Sequence, residues 1–170
     1  SCVACIIEGS RPIMAEVQAL VSTSGFGNPR RMATGFDYNR MSMLLAVLEK
    51  RAGYYFGSMD TYINVIGGLK LDEPAADLSV AIALISSLTD TVVDSSIVAF
   101  GEIGLGGELR SVSNTENRIK EAEKLGFTEV ILPAQCLKKL RKEDYKIKLT
   151  GVASVGEAFL QFVKKRTIKP

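Results

Sequence analysis

An α+β domain built on a mixed sheet, with helices largely on one side, is the fold this sequence predicts. Three observations predict it. Two extended apolar runs open the chain back to back. Helical patterns and short apolar strands alternate after them. The 170 residues, 46% hydrophobic and 24% charged, have the composition of a chain with a core to bury. A domain of this length buries roughly two-thirds of the surface its unfolded chain exposes. Residues 1–166 are expected to form one domain and residues 167–170 a tail.

The first element is a hairpin. Ser1 to Glu8 and Pro12 to Ser22 are apolar-rich and extended, and Gly9-Ser10-Arg11 turns between them. The second run alternates Met14, Glu16 and Gln18 with Ala15, Val17 and Ala19, which suits a sheet with one face covered. Cys2 and Cys5 stand at C-x-x-C spacing, but in a strand residues three apart face opposite sides, so they read as separate buried thiols. Ser24 to Pro29 is a turn-rich loop ending in Arg30-Arg31. Asp37 is placed to cap a helix that carries Leu44, Leu45 and Leu48 on one face and stops at Gly53. Asp60 to Ile66 alternates as a strand closed by Gly67-Gly68.

Pro74 suits the first turn of a helix that runs through Leu88, apolar on most sides and therefore central. Ile97 to Phe100 is a short strand, and Gly104 to Gly107 a turn leading into Glu108-Leu109-Arg110. Asn114 is placed to cap a helix with Ile119, Ala122 and Leu125 on its inner face, stopped at Gly126. Glu129 to Leu132 and Lys146 to Leu149 are strands, and Ser154 to Val163 is the last helix.

Missing residues exclude several chemistries. Without histidine the chain cannot assemble a Ser-His-Asp or Cys-His site, and three cysteines are too few for a four-thiolate zinc site. No glycine is followed at the right distance by Gly-Lys-Ser or Gly-Lys-Thr, so no phosphate-cradling loop is present. The longest apolar run, Leu78 to Leu88, contains three serines and falls short of the ~18–20 residues of a membrane span. No leader stretch is recognisable, and reduced cysteines suit the cytoplasm. Asp72, Glu73 and Asp77 cluster at a helix start, where dipole complementarity is favoured over a metal site or an acid/base pair. A Ser/Lys dyad is the catalytic option that remains.

The segment from Gly67 to Pro133 resembles the proteolytic domain of the Lon proteases, a fold of the ribosomal protein S5 domain 2 type. Lon carries its nucleophile in Pro-Lys-Asp-Gly-Pro-Ser-Ala-Gly, and here Lys70-Leu71-Asp72-Glu73-Pro74-Ala75-Ala76-Asp77 stands in its place. The match puts Ala75 where Lon has serine. Gly101-Glu102-Ile103 and Leu105-Gly106-Gly107 follow Lon's pattern, and the spacing to its catalytic lysine reaches Arg118. Alanine has no nucleophilic atom, and arginine, with a pKa above about 12, is no general base. Ser79 is one turn past Ala75, but Lys120 should point about 200° away from Arg118. The resemblance therefore implies a domain without the Lon dyad, whose arginine is free to pair with Asp72 or Asp77. A Ser/Lys peptidase with a non-standard dyad is the alternative.

Along nearly its whole length the chain also resembles the C-terminal domain of the RadA (Sms) family of bacterial recombination proteins. The resemblance runs through Glu8-Gly9-Ser10-Arg11-Pro12, Asn28-Pro29-Arg30-Arg31, Asn64-Val65-Ile66-Gly67-Gly68, Gly107-Glu108-Leu109-Arg110 and Glu121-Ala122-Glu123-Lys124-Leu125-Gly126-Phe127. It implies a DNA-binding and ring-assembly module of an ATPase that promotes branch migration. Zinc finger and RecA-like core, and with them Zn, ATP and Mg, are expected outside these residues, so no cofactor is expected here. The implied partners are duplex DNA, single strands as a second expectation, further copies in a hexameric ring, and a RecA-type recombinase. A purely structural hexamerisation scaffold is a further alternative.

Charge is divided unevenly. Residues 1–100 carry seven Lys/Arg against ten Asp/Glu, and residues 101–170 fourteen against nine. Phosphate binding needs cationic heads that converge and are not already neutralised. Arg30 and Arg31 are the first choice, since no acidic residue lies between Glu16 and Asp37; Arg40 and Arg110 could join them, Arg40 with an ion pair as its equal alternative. Lys138, Lys139, Arg141 and Lys142 rank second, being interleaved with Glu143 and Asp144, and Lys164-Lys165-Arg166 forms a further basic run. Tyr54, Tyr55 and Phe56 either fold onto the core or, with Met41 or Met59, line a subunit contact.

Overall fold

The structure is a computed structural model that describes the backbone of residues 1–25 and 27–167, and side chains in that range through Gln161. The basic run Lys164-Lys165-Arg166 lies outside the described side chains, and residues 168–170 of the expected tail lie outside the described residues.

Among the described residues seven strands form one mixed sheet in the order β3-β4-β2-β1-β5-β8-β9. The opening hairpin pairs β1 (Cys2–Glu8) with β2 (Arg11–Thr23), Cys5 opposite Met14, and β2 pairs antiparallel with β4 (Met59–Val65). Every other neighbour is parallel: β3 (Arg31–Thr34) on β4, β5 (Ile97–Ala99) on β1, β8 (Glu129–Pro133) on β5, and β9 (Lys148–Val152) on β8. A separate two-residue ladder joins β6 (Glu102–Ile103) to β7 (Leu109–Arg110).

Among the described residues five helices cover the sheet, and they do so on both faces. α1 (Tyr38–Ala52), α2 (Asp77–Thr89) and α5 (Val155–Thr167) share a core with Cys2, Ala4 and Ile6 of β1. α3 (Thr115–Lys124) and α4 (Ala134–Lys138) share a second core with Cys5, Val98, Val130 and Leu149. This corrects the expectation of helices largely on one side. A parallel half-sheet is buried on both faces, and here its flanking segments supply the second cover. The two cysteines fall into the two different cores, as strand alternation requires, and burial pushes both thiols up to about 12.

Local signals account for the helices. The Asp37 carboxylate accepts the Arg40 N–H at 2.9 Å, and Gly53 closes α1 in the left-handed region. α2 is buried from Asp77 through Ser86, the central helix of the fold. Ile119 and Ala122 face inward on α3, but Leu125 is 54% exposed, because the helix ends at Lys124 and Leu125 is already its cap. Of the three neighbouring aromatics, Phe56 is fully buried and Tyr54 meets Phe159 edge-to-face at 5.5 Å, while Tyr55 stays exposed. Met41 is buried as well.

Candidate functional site

The chain approaches α2 in extended form at Glu73, makes a single 3-10 turn at Pro74–Ala76, and enters the helix at Asp77. Ala75 therefore lies in the turn ahead of the helix. Gly101 grips that turn from β5's end: its N–H donates to the Ala75 carbonyl at 2.8 Å, and its own carbonyl accepts the Leu78 N–H at 3.1 Å. A Cβ on Gly101 would stand 3.1 Å from Pro133 Cγ, so a glycine permits the close approach. Ala75 is buried, with a methyl group where the resemblance asks for a nucleophile.

Arg118, in the first turn of α3, is fully buried. Its Nη1 donates to Glu73 Oε1 at 2.5 Å and to the Cys5 carbonyl at 2.7 Å. Nη2 donates to Glu73 Oε2 at 3.1 Å, and Nε to the Ser113 carbonyl at 2.9 Å. The head also lies 5.7 Å from the Phe100 ring centre. Glu73 in turn accepts the Ile7 N–H at 2.8 Å. The partner is thus Glu73, two residues before Ala75, and neither Asp72 nor Asp77 as expected. Asp72 is exposed, and Asp77 is taken by another arginine. The signal for Glu73 was a carboxylate beside the dyad position, since a buried guanidinium needs an anion to offset its desolvation.

That other arginine is Arg40. It binds Asp77 bidentately through Nε–H to Oδ1 at 2.7 Å and through Nη2 to Oδ2, while the Ile103 N–H reaches Oδ2 at 3.1 Å. Burial raises the Asp77 carboxyl above its ordinary value, opposed by the bonds from Arg40 and Ile103. The head of Arg40 is therefore neutralised within the fold, which matches the ion-pair alternative and leaves it a weak phosphate ligand. Asp72, Glu73 and Asp77 do not converge, and among the described residues no group of acidic, cysteine or histidine side chains could hold a metal ion. Ser79 is buried and donates to the Ala76 carbonyl at 2.9 Å, whereas Lys120 is exposed.

Of the remaining candidate cations, Arg30 and Arg31 lie at one edge of the sheet, the lysine-rich cluster at the other, and Arg110 on β7 of the separate ladder. Arg30, just ahead of edge strand β3, is exposed, and Arg31, the first residue of β3, is half-buried. Strand pairing also brings Asp60 beside them, its carboxylate accepting the Arg30 N–H at 2.7 Å. Arg110 is exposed, with Nε 3.4 Å from Glu108. Lys138, Lys139, Arg141 and Lys142 are all exposed beside the opposite edge strand, β9.

Fold and site together define an α/β domain in which a buried arginine pairs with a part-exposed glutamate at the pre-helical turn, and that turn carries no nucleophile. Residues 27–136 match the family model described as subunit ChlI of Mg-chelatase. The chain is 53% identical over 152 residues to the DNA repair protein RadA of Bacillus subtilis, covering 89% of this chain and 33% of that protein. It is 54% identical over 131 residues to RadA of Synechocystis, covering 77% and 26%, and 46% identical over 162 residues to RadA of Listeria monocytogenes, covering 93% and 34%. The chain belongs to the RadA family of DNA repair proteins, whose C-terminal region it is. It spans about a third of the length of the curated relatives it matches. No helix among the described residues is long and apolar enough to cross a membrane.

Proposed function

We propose that the chain is a catalytically silent Lon-like module through which a DNA repair ATPase binds duplex DNA and assembles as a ring. The observation that carries the first half is the sealed turn. Arg118 makes four hydrogen bonds to Glu73, Cys5 and Ser113 where a general base would have to be free, and Ala75 offers no attacking atom. Ser79 and Lys120 are not a substitute: the hydroxyl is buried and spent on a carbonyl, and the amine is in solvent. ATP hydrolysis, its Mg, a zinc finger and contact with a RecA-type recombinase belong, in this proposal, to the rest of the longer protein. Branch migration and the hexameric ring are properties of that whole.

DNA binding rests on Arg30 and Arg31, with Arg110 as an auxiliary. The test is duplex binding across a salt series. Replacing Arg30 and Arg31 together with alanine should weaken binding whatever the DNA sequence, and flatten its salt dependence by about one to two units of slope. Unchanged affinity and slope in a folded double variant would remove these residues from the interface. Cleavage of casein by the unaltered chain would overturn the silent-module reading.

A further inference from the structure

At the sheet edge remote from Arg30, helix α4 lies against strand β9 and leaves a groove of about 660 Å³. Its floor is apolar. Leu137 and Leu140, both half-buried, line it beside Gly151 of β9. The glycine fixes its shape, since a Cβ there would stand 2.8 Å from Leu137 Cδ2 and 3.2 Å from the Ala134 Cα, so helix and strand touch backbone to side chain. Lys138, Arg141 and Lys142 form the rim, all three exposed, and none belongs to an ion pair among the described residues. A single carboxylate, Glu143, opposes them in the lining.

We infer that this groove docks a short acidic peptide of a partner protein, one that carries an apolar anchor among its carboxylates. Charge complementarity selects the sign: three unneutralised cations against one anion attract an acidic segment. The floor selects the class. A phosphate backbone has nothing to place against two leucines, and single strands are held by aromatic platforms, of which the lining has none. An apolar side chain inserted between Leu137 and Leu140 would remove both from water, while its flanking carboxylates meet the rim. Duplex DNA is left to the far edge, so one domain can hold nucleic acid and protein at opposite ends of one sheet.

The test uses fluorescence anisotropy with a labelled peptide of consecutive aspartates followed by Leu-Phe. Its controls are the same peptide with serine for Leu-Phe, the same with asparagine for aspartate, and a labelled duplex. Saturable binding of the first peptide is expected, weakened about tenfold by either change of peptide and about tenfold by the Arg141→Glu, Lys142→Glu double variant. Both positions are exposed, so the variant should keep its unfolding midpoint. Leu140→Ser supplies a second, uncharged variant that should weaken the peptide and spare the duplex. Absence of peptide binding at about millimolar concentration, or equal binding of the serine control, overturns the inference. So does a double variant that loses duplex binding and retains the peptide, which would make the groove a DNA contact.

Discussion

Glu73 holds more of the fold in place than its half-exposed position suggests. It neutralises the only fully buried cation among the described residues and also accepts the Ile7 N–H, so one carboxylate joins α3, β1 and the turn before α2. Removing one partner of such a pair costs about 3–5 kcal/mol, because the other is left charged and dry. The Glu73 side chain is 25% exposed, which puts Glu73→Gln near about 3 kcal/mol, the low end. Replacing both Glu73 and Arg118 with methionine should recover most of that loss, since the desolvation cost then disappears with the charge. Denaturant unfolding of the single and double variants measures the difference. A Glu73→Gln midpoint equal to that of the unaltered chain would mean the pair stabilises nothing. This contact was legible only in part: the resemblance brings Arg118 to the turn at Ala75 and a carboxylate there was expected to meet it, but Glu73, 45 residues from Arg118, was not the one named. The Arg40–Asp77 pair, 37 residues apart, was half legible: the arginine's need for a carboxylate could be foreseen, but not which one.

Elements were legible in proportion to the strength of their local signals. The hairpin, α1 between Asp37 and Gly53, and the buried α2 all follow from turn, cap and periodicity in adjacent residues. Strand β3 has four residues and α4 five, too few to show any period, and only tertiary pairing makes them regular. The β9 strand, expected at Lys146 to Leu149, sits at Lys148–Val152, because its parallel register with β8 sets Lys148 opposite Glu129 and carries the strand through Gly151. Gly35, between β3 and α1, shows how tightly these short elements are held. Its φ is +82°, and a Cβ would stand 2.5 Å from the Leu69 carbonyl oxygen and 2.7 Å from Val65 Cβ. Gly35→Ala should therefore cost about 1–2 kcal/mol for the left-handed backbone and a further ~1–3 kcal/mol for the collision. Gly9, at φ +64° with nothing within 4 Å of its Cβ position, supplies the comparison: there only the backbone cost applies. Equal losses of stability in the two alanine variants would refute the collision.

Across the whole molecule, the two halves of the sheet differ in kind. From β1 toward β3 it is mainly antiparallel, with an exposed face bearing Leu20 and Met32. From β1 toward β9 it is wholly parallel, covered on both faces. Amides of β1, β2 and β5 should exchange slowest with solvent and those of the edge strands β3 and β9 fastest, a gradient that native-state hydrogen exchange reads strand by strand. Slowest exchange in β9 would contradict it. The strand order has a further consequence, for synthesis. The hairpin made first is the middle of the finished sheet, and β5, β8 and β9 each join a neighbour that has already left the ribosome. On the other flank β4 lies directly against β2, and β3, although translated earlier, must wait outside until β4 arrives. The nascent chain can thus lay down its sheet from the centre outward with one strand held in reserve, the one that begins with Arg31.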